Sequence, residues 1–210
     1  MKCLNNRFII EPASASDSQG LLDLLEQSSY DGDISLLYTR RPDAYASFLS
    51  EGKEAEVSVC RDTKNNSIVG MGAYTIQDLY INGIAERAAY IFGLRGNEDS
   101  LKRYPLLPKF YEYLERSLHS KGIRICFTTI LKGNMSTQRL LEKRRTFMPD
   151  YEFIGNFESF CFRNTAKTSG HEEYVFSRAA RSDLADVVTF LNREGKGLQF
   201  YPVVTLLSFS

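Results

Sequence analysis

Side chains able to do chemistry are sparse in this chain and mostly far apart. Its two histidines, His119 and His171, are isolated, and no carboxylates stand at matched spacing to complete a metal site with them. Cys3, Cys60, Cys126 and Cys161 form no Cys-x-x-Cys or Cys/His pattern. Cys60 and Cys126 lie inside apolar runs, where a thiol packs as a small core residue of a reducing, cytosolic setting. No Ser/His/Asp or Cys/His arrangement rises above background. What remains is a set of charges and caps beside predicted helix ends. Lys102-Arg103 stand ahead of a helix that opens at Pro105, and by themselves they are solvated charges. Asn134 has the side chain of an N-cap. Arg40-Arg41 before Pro42 read as an exposed turn, able at most to meet an acidic substrate.

The elements that must position these residues follow from periodicity. Over 210 residues the chain is 43% hydrophobic and 25% charged, with 26 basic and 26 acidic side chains, so it has no overall pull on DNA or an anionic membrane. No apolar run approaches the roughly 18 residues of a membrane span, and Arg7 and Glu11 interrupt any leader. A short strand over Arg7–Glu11 precedes a helix that Ser16-x-x-Gln19 would cap. Ser35–Leu49 reads as a helix or irregular turn broken by Pro42. Glu54–Arg61 and Ile68–Ile76 flank the turn Lys64-Asn65-Asn66-Ser67 as a hairpin, with Gly70 and Gly72 marking a bend or close packing. Ala88–Leu94 is a further strand. Leu107, Phe110, Tyr111, Leu114 and Leu118 share one face of a helix over Pro105–Lys121. Ile123–Leu131 reads as a central strand, Asn134 opens another helix, and Tyr151–Ile154 and Phe157–Phe162 read as a second hairpin.

Residues 164–170 form a polar linker, and the chain then restarts. Glu173–Asp183 echoes Arg7–Asp17, and Ser182 would cap a helix whose Leu184, Val187, Val188 and Leu191 share a face. This divides the chain into a domain over 1–165, a linker over 166–172, and the beginning of a second, incomplete copy over 173–210. About forty residues are too few for an independent domain. The tail therefore packs on the first domain or on a partner subunit as in a homodimer, or the chain stops inside the second copy.

In this order the elements resemble the GNAT superfamily of N-acetyltransferases over residues 7 to 163, and within it bacterial proteins with two tandem copies. The likeness is carried by Tyr90-Ile91-Phe92-Gly93-Leu94-Arg95-Gly96, Lys102-Arg103-Tyr104-Pro105-Leu106-Leu107, Phe127-Thr128-Thr129-Ile130-Leu131, Asn134, Arg139, Leu140-Leu141 and Pro149-x-Tyr151. The resemblance implies an α+β fold, a mixed sheet with helices on both faces. It implies a sheet that splays so that the pantetheine arm of acetyl-CoA, or of another acyl-CoA, lies in the gap as an extra strand. It also puts the pyrophosphate on backbone N–H groups at the start of the following helix. Carried over, the cosubstrate would touch Leu94, Arg95, Gly96, Lys102, Arg103, Tyr104, Leu106, Asn134 and Leu141, with no metal. The acceptor would be a small-molecule or peptide amine, with no nucleic acid or membrane as partner.

Two positions depart from the family's pattern. Its phosphate loop, Arg/Gln-x-x-Gly-x-Gly/Ala, uses glycines to bring backbone close to anionic oxygens. Leu101–Leu106 has none, and Pro105 lacks an N–H. The helix pattern Asn-x-x-Ala-x-x-Leu-Tyr supplies a tyrosine that protonates the leaving thiolate. Here Leu141 stands in that place, so the acid must be Tyr104, Tyr151 or water. Glu86, just before the strand, is the nearest carboxylate for a general base. These losses leave two expectations: an acyl-CoA-dependent N-acyltransferase, or a catalytically degenerate domain that binds, scaffolds or regulates.

Overall fold

The computed structural model describes residues 7–27, 38–97, 100, 106–146, 148–158, 175 and 177–209. The chain divides into two compact units, Met1–Asp78 with Arg87–Glu152, and Leu79–Glu86 with Phe153–Ser210. Its strands are β1 (Phe8–Pro12), β2 (Glu54–Asp62), β3 (Ser67–Ile81), β4 (Ile84–Gly96), β5 (Ile125–Phe127) and β6 (Tyr201–Pro202). Its helices are α1 (Ser18–Glu26), α2 (Ala44–Leu49), α3 (Leu106–Ser120), α4 (Met135–Glu142) and α5 (Leu184–Gly195). The sheet runs β1-β2-β3-β4-β5, with β6 paired to the end of β3. The β1–β2 and β2–β3 pairs are antiparallel and β4–β5 is parallel. This is the mixed sheet with helices that the sequence predicts.

In the first unit the sheet's alternation feeds two apolar layers. Val57, Val59, Met71 and Ala73 pack with Leu21, Leu22, Leu24 and Leu25 of α1 and Ala44 and Phe48 of α2. Tyr74, Ile76, Ala89 and Ile91 pack with Phe110, Tyr111, Leu114 and Leu118 of α3. The period of α3 is therefore the one read from sequence. Gly72 belongs to this second contact: a Cβ there would lie 2.1 Å from Phe110 Cζ, so a hydrogen is all the helix leaves room for.

Several boundaries move, each for a local reason. Pro42 and the N-cap Asp43, whose side chain accepts from Ala46 N, delay the second helix to Ala44. The expected strand at Ala88 begins at Ile84, because Asn82 (φ 52°) and Gly83 (φ 76°) close a two-residue hairpin turn from β3. The first helix is entered through a 3-10 turn, Ala15–Asp17, rather than a Ser16–Gln19 box. Ser14 N donates to Asp17 Oδ2 at 2.9 Å, while Gln19 reaches Asp23 instead. The strand expected over Ile123–Leu131 is only three residues long. Tyr151–Glu158 form no strand, so the second hairpin is absent over its described part; residues 159–162 lie outside the described residues.

In the second unit β6 pairs Leu79 with Pro202 and Tyr80 with Tyr201. A 3-10 turn, Arg181–Asp183, leads into α5, with Ala180 N donating to Asp183 Oδ2 at 2.8 Å. Asp183, not Ser182, makes the entry bond. Asn192 on α5 clamps Val204, its amide donating to the carbonyl at 2.8 Å and accepting from the N–H at 2.9 Å. The strand expected ahead of α5 is absent over Ser177–Ala180, Val175 is 97% exposed, and the linker lies outside the described residues.

Candidate active site

The first unit's sheet opens at one place. β4 and β5 pair only through Ala88–Ile125, Ala89–Cys126 and Tyr90–Phe127. Beyond Phe127 the chain leaves strand geometry, and β5 gives Ile91–Gly96 of β4 no partner. β4 itself stays with its other neighbour as far as Asn97, whose N–H donates to Val69 O at 2.9 Å. Two neighbouring parallel strands thus part after three pairs, and one of them continues past the end of the other.

Gly93 sets the course of that continuation. Its φ of 65° is open to glycine but strained for other residues, and a Cβ would also meet Phe48 of α2 at 3.1 Å. The side-chain parity of β4 reverses across it. Ala89 and Ile91 face the α3 layer, Phe92 faces the α1/α2 layer, and Leu94 faces the α3 layer again. One inserted residue produces such a reversal, as in a β-bulge, and re-aims the backbone after it.

The predicted cosubstrate contacts fall around this opening with different outcomes. Leu94, Arg95 and Gly96 occupy the stretch of β4 that runs on beyond its ladder with β5. Arg95 folds back, donating from Nη1 to Leu94 O at 3.2 Å, and burial pulls its guanidinium pKa down. Leu106, first residue of α3, is buried with Phe8, Cys60 and Val69, so its side chain is core and only its backbone N–H is left for an anion. Asn134 is an N-cap: its carbonyl oxygen accepts from Thr137 N at 3.2 Å and from Ser136 Oγ at 3.0 Å. Lys102, Arg103 and Tyr104 lie outside the described residues. Glu86 precedes the first β4–β5 pair, on the side of the ladder away from the opening. Along the strand it is four residues, about 13 Å, before Tyr90. The structure does not bring it to the gap.

Leu141 is buried in the α3 layer. Tyr151 packs on the same layer and lines with Leu141 a cleft of about 270 Å³. Its hydroxyl is 2.8 Å from that of Tyr111 on α3, the rings meeting edge to face at 6.5 Å. Burial raises both phenols above the usual tyrosine value, so each keeps its proton at neutral pH. Cys60 is the buried core thiol expected and burial raises it to about 11, whereas Cys126 is exposed rather than in the core; local desolvation still raises its thiol, which leaves neither a thiolate nucleophile.

The face toward α1 and α2 carries a row of rings that the sequence did not single out. Tyr90 and Phe92, two residues apart on β4, stack at 5.3 Å and 9°; Tyr90 meets its register partner Phe127 at 5.1 Å, and Phe92 meets Phe48 at 5.8 Å. The aromatic alternation Tyr90-x-Phe92 was the available signal. Among the described residues no group of three or more His, Cys, Asp or Glu could hold a metal ion, and no helix is long and apolar enough to cross a membrane.

No family model matches the sequence, and no curated protein does. Solved structures do. An aminoglycoside acetyltransferase from an uncultured soil metagenomic sample superposes with a TM-score of 0.56 at 18% identity, over 76% of this chain and 99% of that one. A ribosomal-protein-alanine N-acetyltransferase from Brucella melitensis biovar Abortus 2308 gives 0.51 at 16%, over 75% and 99%. AAC(6')-Iy, in complex with a bisubstrate analogue built on CoA, gives 0.52 at 13%, over 73% and 99%. With its mixed sheet parting between two parallel strands, the chain has the GNAT acyl-CoA N-acyltransferase fold.

Proposed function

We propose that the chain binds an acyl-CoA, most simply acetyl-CoA, in the gap between β4 and β5 and transfers the acyl group to an amine. The observation that carries this is the three-pair ladder, after which β4 runs on past the end of β5. That stretch would offer backbone donors and acceptors to an extended amide-bearing arm, as to a missing strand. The pyrophosphate would lie at the start of α3, on its first backbone N–H groups, with Lys102 and Arg103 adding positive charge where Leu101–Leu106 has no glycine. A neutral amine attacks the thioester carbonyl, the carbon–sulfur bond breaks, the nitrogen releases a proton, and the thiolate takes one up. Tyr151, protonated and lining one cleft with Leu141, is assigned as that donor. Catalysis is then mainly positioning, with backbone N–H groups at Leu94–Gly96 polarising the carbonyl.

Calorimetry with acetyl-CoA, followed by CoA release on a panel of amines, tests this reading. Saturable one-to-one binding and amine-dependent release are expected; no binding overturns it. A second reading rests on Leu141 and on the phosphate loop without glycine: a GNAT-fold module that holds acyl-CoA, or a partner, without turnover. Binding without release on every amine selects it. Tyr151→Phe should lower kcat about 10²-fold and leave acetyl-CoA affinity unchanged.

A further inference from the structure

Where the backbone ladder between β4 and β5 ends, a side-chain bond carries on. Tyr90 and Phe127 form the last register pair. Two residues further along, where the chain has left strand geometry, Thr129 Oγ1 lies 2.7 Å from Tyr90 Oη. The Tyr90 side chain therefore reaches past its register partner, toward the opening, and its hydroxyl is bonded to the chain on the opening's other side. The ring that carries this hydroxyl is itself fixed. It stacks on Phe92 at 5.3 Å and 9° and meets Phe127 at 5.1 Å, and Phe92 in turn meets Phe48 of α2 at 5.8 Å. Ring packing and one hydrogen bond thus hold the first residues after β5 to β4.

A hydroxyl pair in water exchanges one partner for another at little net gain. Here packing has already ordered the Tyr90 ring, so little further entropy is lost in making the bond. A tie made through a tyrosine side chain, not through the backbone, also holds the outgoing chain to β4 without adding a rung to the ladder. We propose that Tyr90 and Thr129 are positioning residues of the acyl-CoA site: their bond fixes the point at which the two strands part, before the pantetheine arm arrives. Order present before binding raises affinity, because it need not be imposed by the ligand. Neither side chain has to touch the reacting atoms. This rests on the acyl-transfer reading above and adds two residues to the same site.

The test is calorimetry of the full chain with acetyl-CoA and with 3'-phospho-ADP, which has the pyrophosphate but no arm. Tyr90→Phe keeps the ring and loses the hydroxyl, and Thr129→Val keeps the shape and loses the hydroxyl. Each should weaken acetyl-CoA binding about two- to tenfold. The double variant should lose no more than the worse single one, because both remove the same bond. Thr129→Ser keeps a hydroxyl and should restore the affinity that Thr129→Val loses. 3'-phospho-ADP should bind every one of these proteins alike. Undiminished acetyl-CoA affinity in both single variants, or losses that add in the double one, overturns the positioning role and leaves the transferase reading standing. So does a parallel loss of 3'-phospho-ADP affinity, or a serine variant as weak as the valine one, since either marks a general disturbance of the fold. Failure of the wild-type chain to bind acetyl-CoA overturns the transferase reading and this inference with it.

Discussion

α1 and α5 are entered through the same turn. Ser14 N donates to Asp17 at 2.9 Å and Ala180 N to Asp183 at 2.8 Å, each followed by a helix with apolar residues on one face. The resemblance ends at burial. Leu21 and Leu25 are 0% exposed, Leu22 and Leu24 are 4% and 3%, and all four pack on sheet residues. In α5 only Gly195 is buried, and Phe190 is 53% exposed. What α5 has instead is polar, the two bonds between Asn192 and Val204. A local signal is enough to start a helix; a sheet face opposite it is what turns its apolar stripe into stability, at about 1.5–3 kcal/mol per fully buried leucine.

The contrast is broken most directly at matched leucines. Leu21→Ala should cost about 2–5 kcal/mol, whereas Leu191→Ala in α5 should cost about 1 kcal/mol or less. Urea unfolding of both variants measures this, and equal losses would erase the difference between the helices. Gly93→Ala asks whether the well-packed unit also sets the opening. The imposed φ of 65° and the Phe48 contact should cost about 1–3 kcal/mol. Acetyl-CoA affinity should fall with it; stability lost with affinity intact would separate the opening from the bend.

The smallest effect sharpens the comparison at the two turns. Burial opposes ionisation of Asp17, but the bonds from Arg61 and Ser14 outweigh it and hold the carboxyl below its ordinary value of 3.8. A depressed folded pKa means that this stabilisation is complete above the unfolded value and is lost as pH falls through the folded one. Asp17→Asn should therefore lower stability by about 1 kcal/mol at pH 7 and flatten the acid limb below about pH 4. Urea midpoints across pH check the sign; an unchanged acid limb would show that Arg61 does not hold this carboxylate in the folded protein.

Much of the fold was legible because its causes lie within a few residues. The stripe Phe110, Tyr111, Leu114, Leu118 placed α3. The turn at Lys64–Asn66 placed the β2–β3 hairpin, and Asn134 placed the start of α4. The candidate site was legible only as a stretch of chain. Leu94–Gly96 do lie on the parting edge, whereas Glu86 lies beyond the closed end of the ladder, and nothing in its neighbours in sequence records where β5 begins to pair.

By itself, then, the sequence determined the helices α1, α3, α4 and α5 and the strands β1 to β4 and their order, since propensity, capping and period act over one or two turns of chain. The tertiary structure alone decided how long β4 and β5 stay together, which face Tyr90 and Phe92 share with Phe48, and which of two similarly begun helices is buried. Each of these depends on groups tens of residues apart arriving at a few ångströms. One glycine with positive φ is enough to exchange the faces that a period-two pattern would assign.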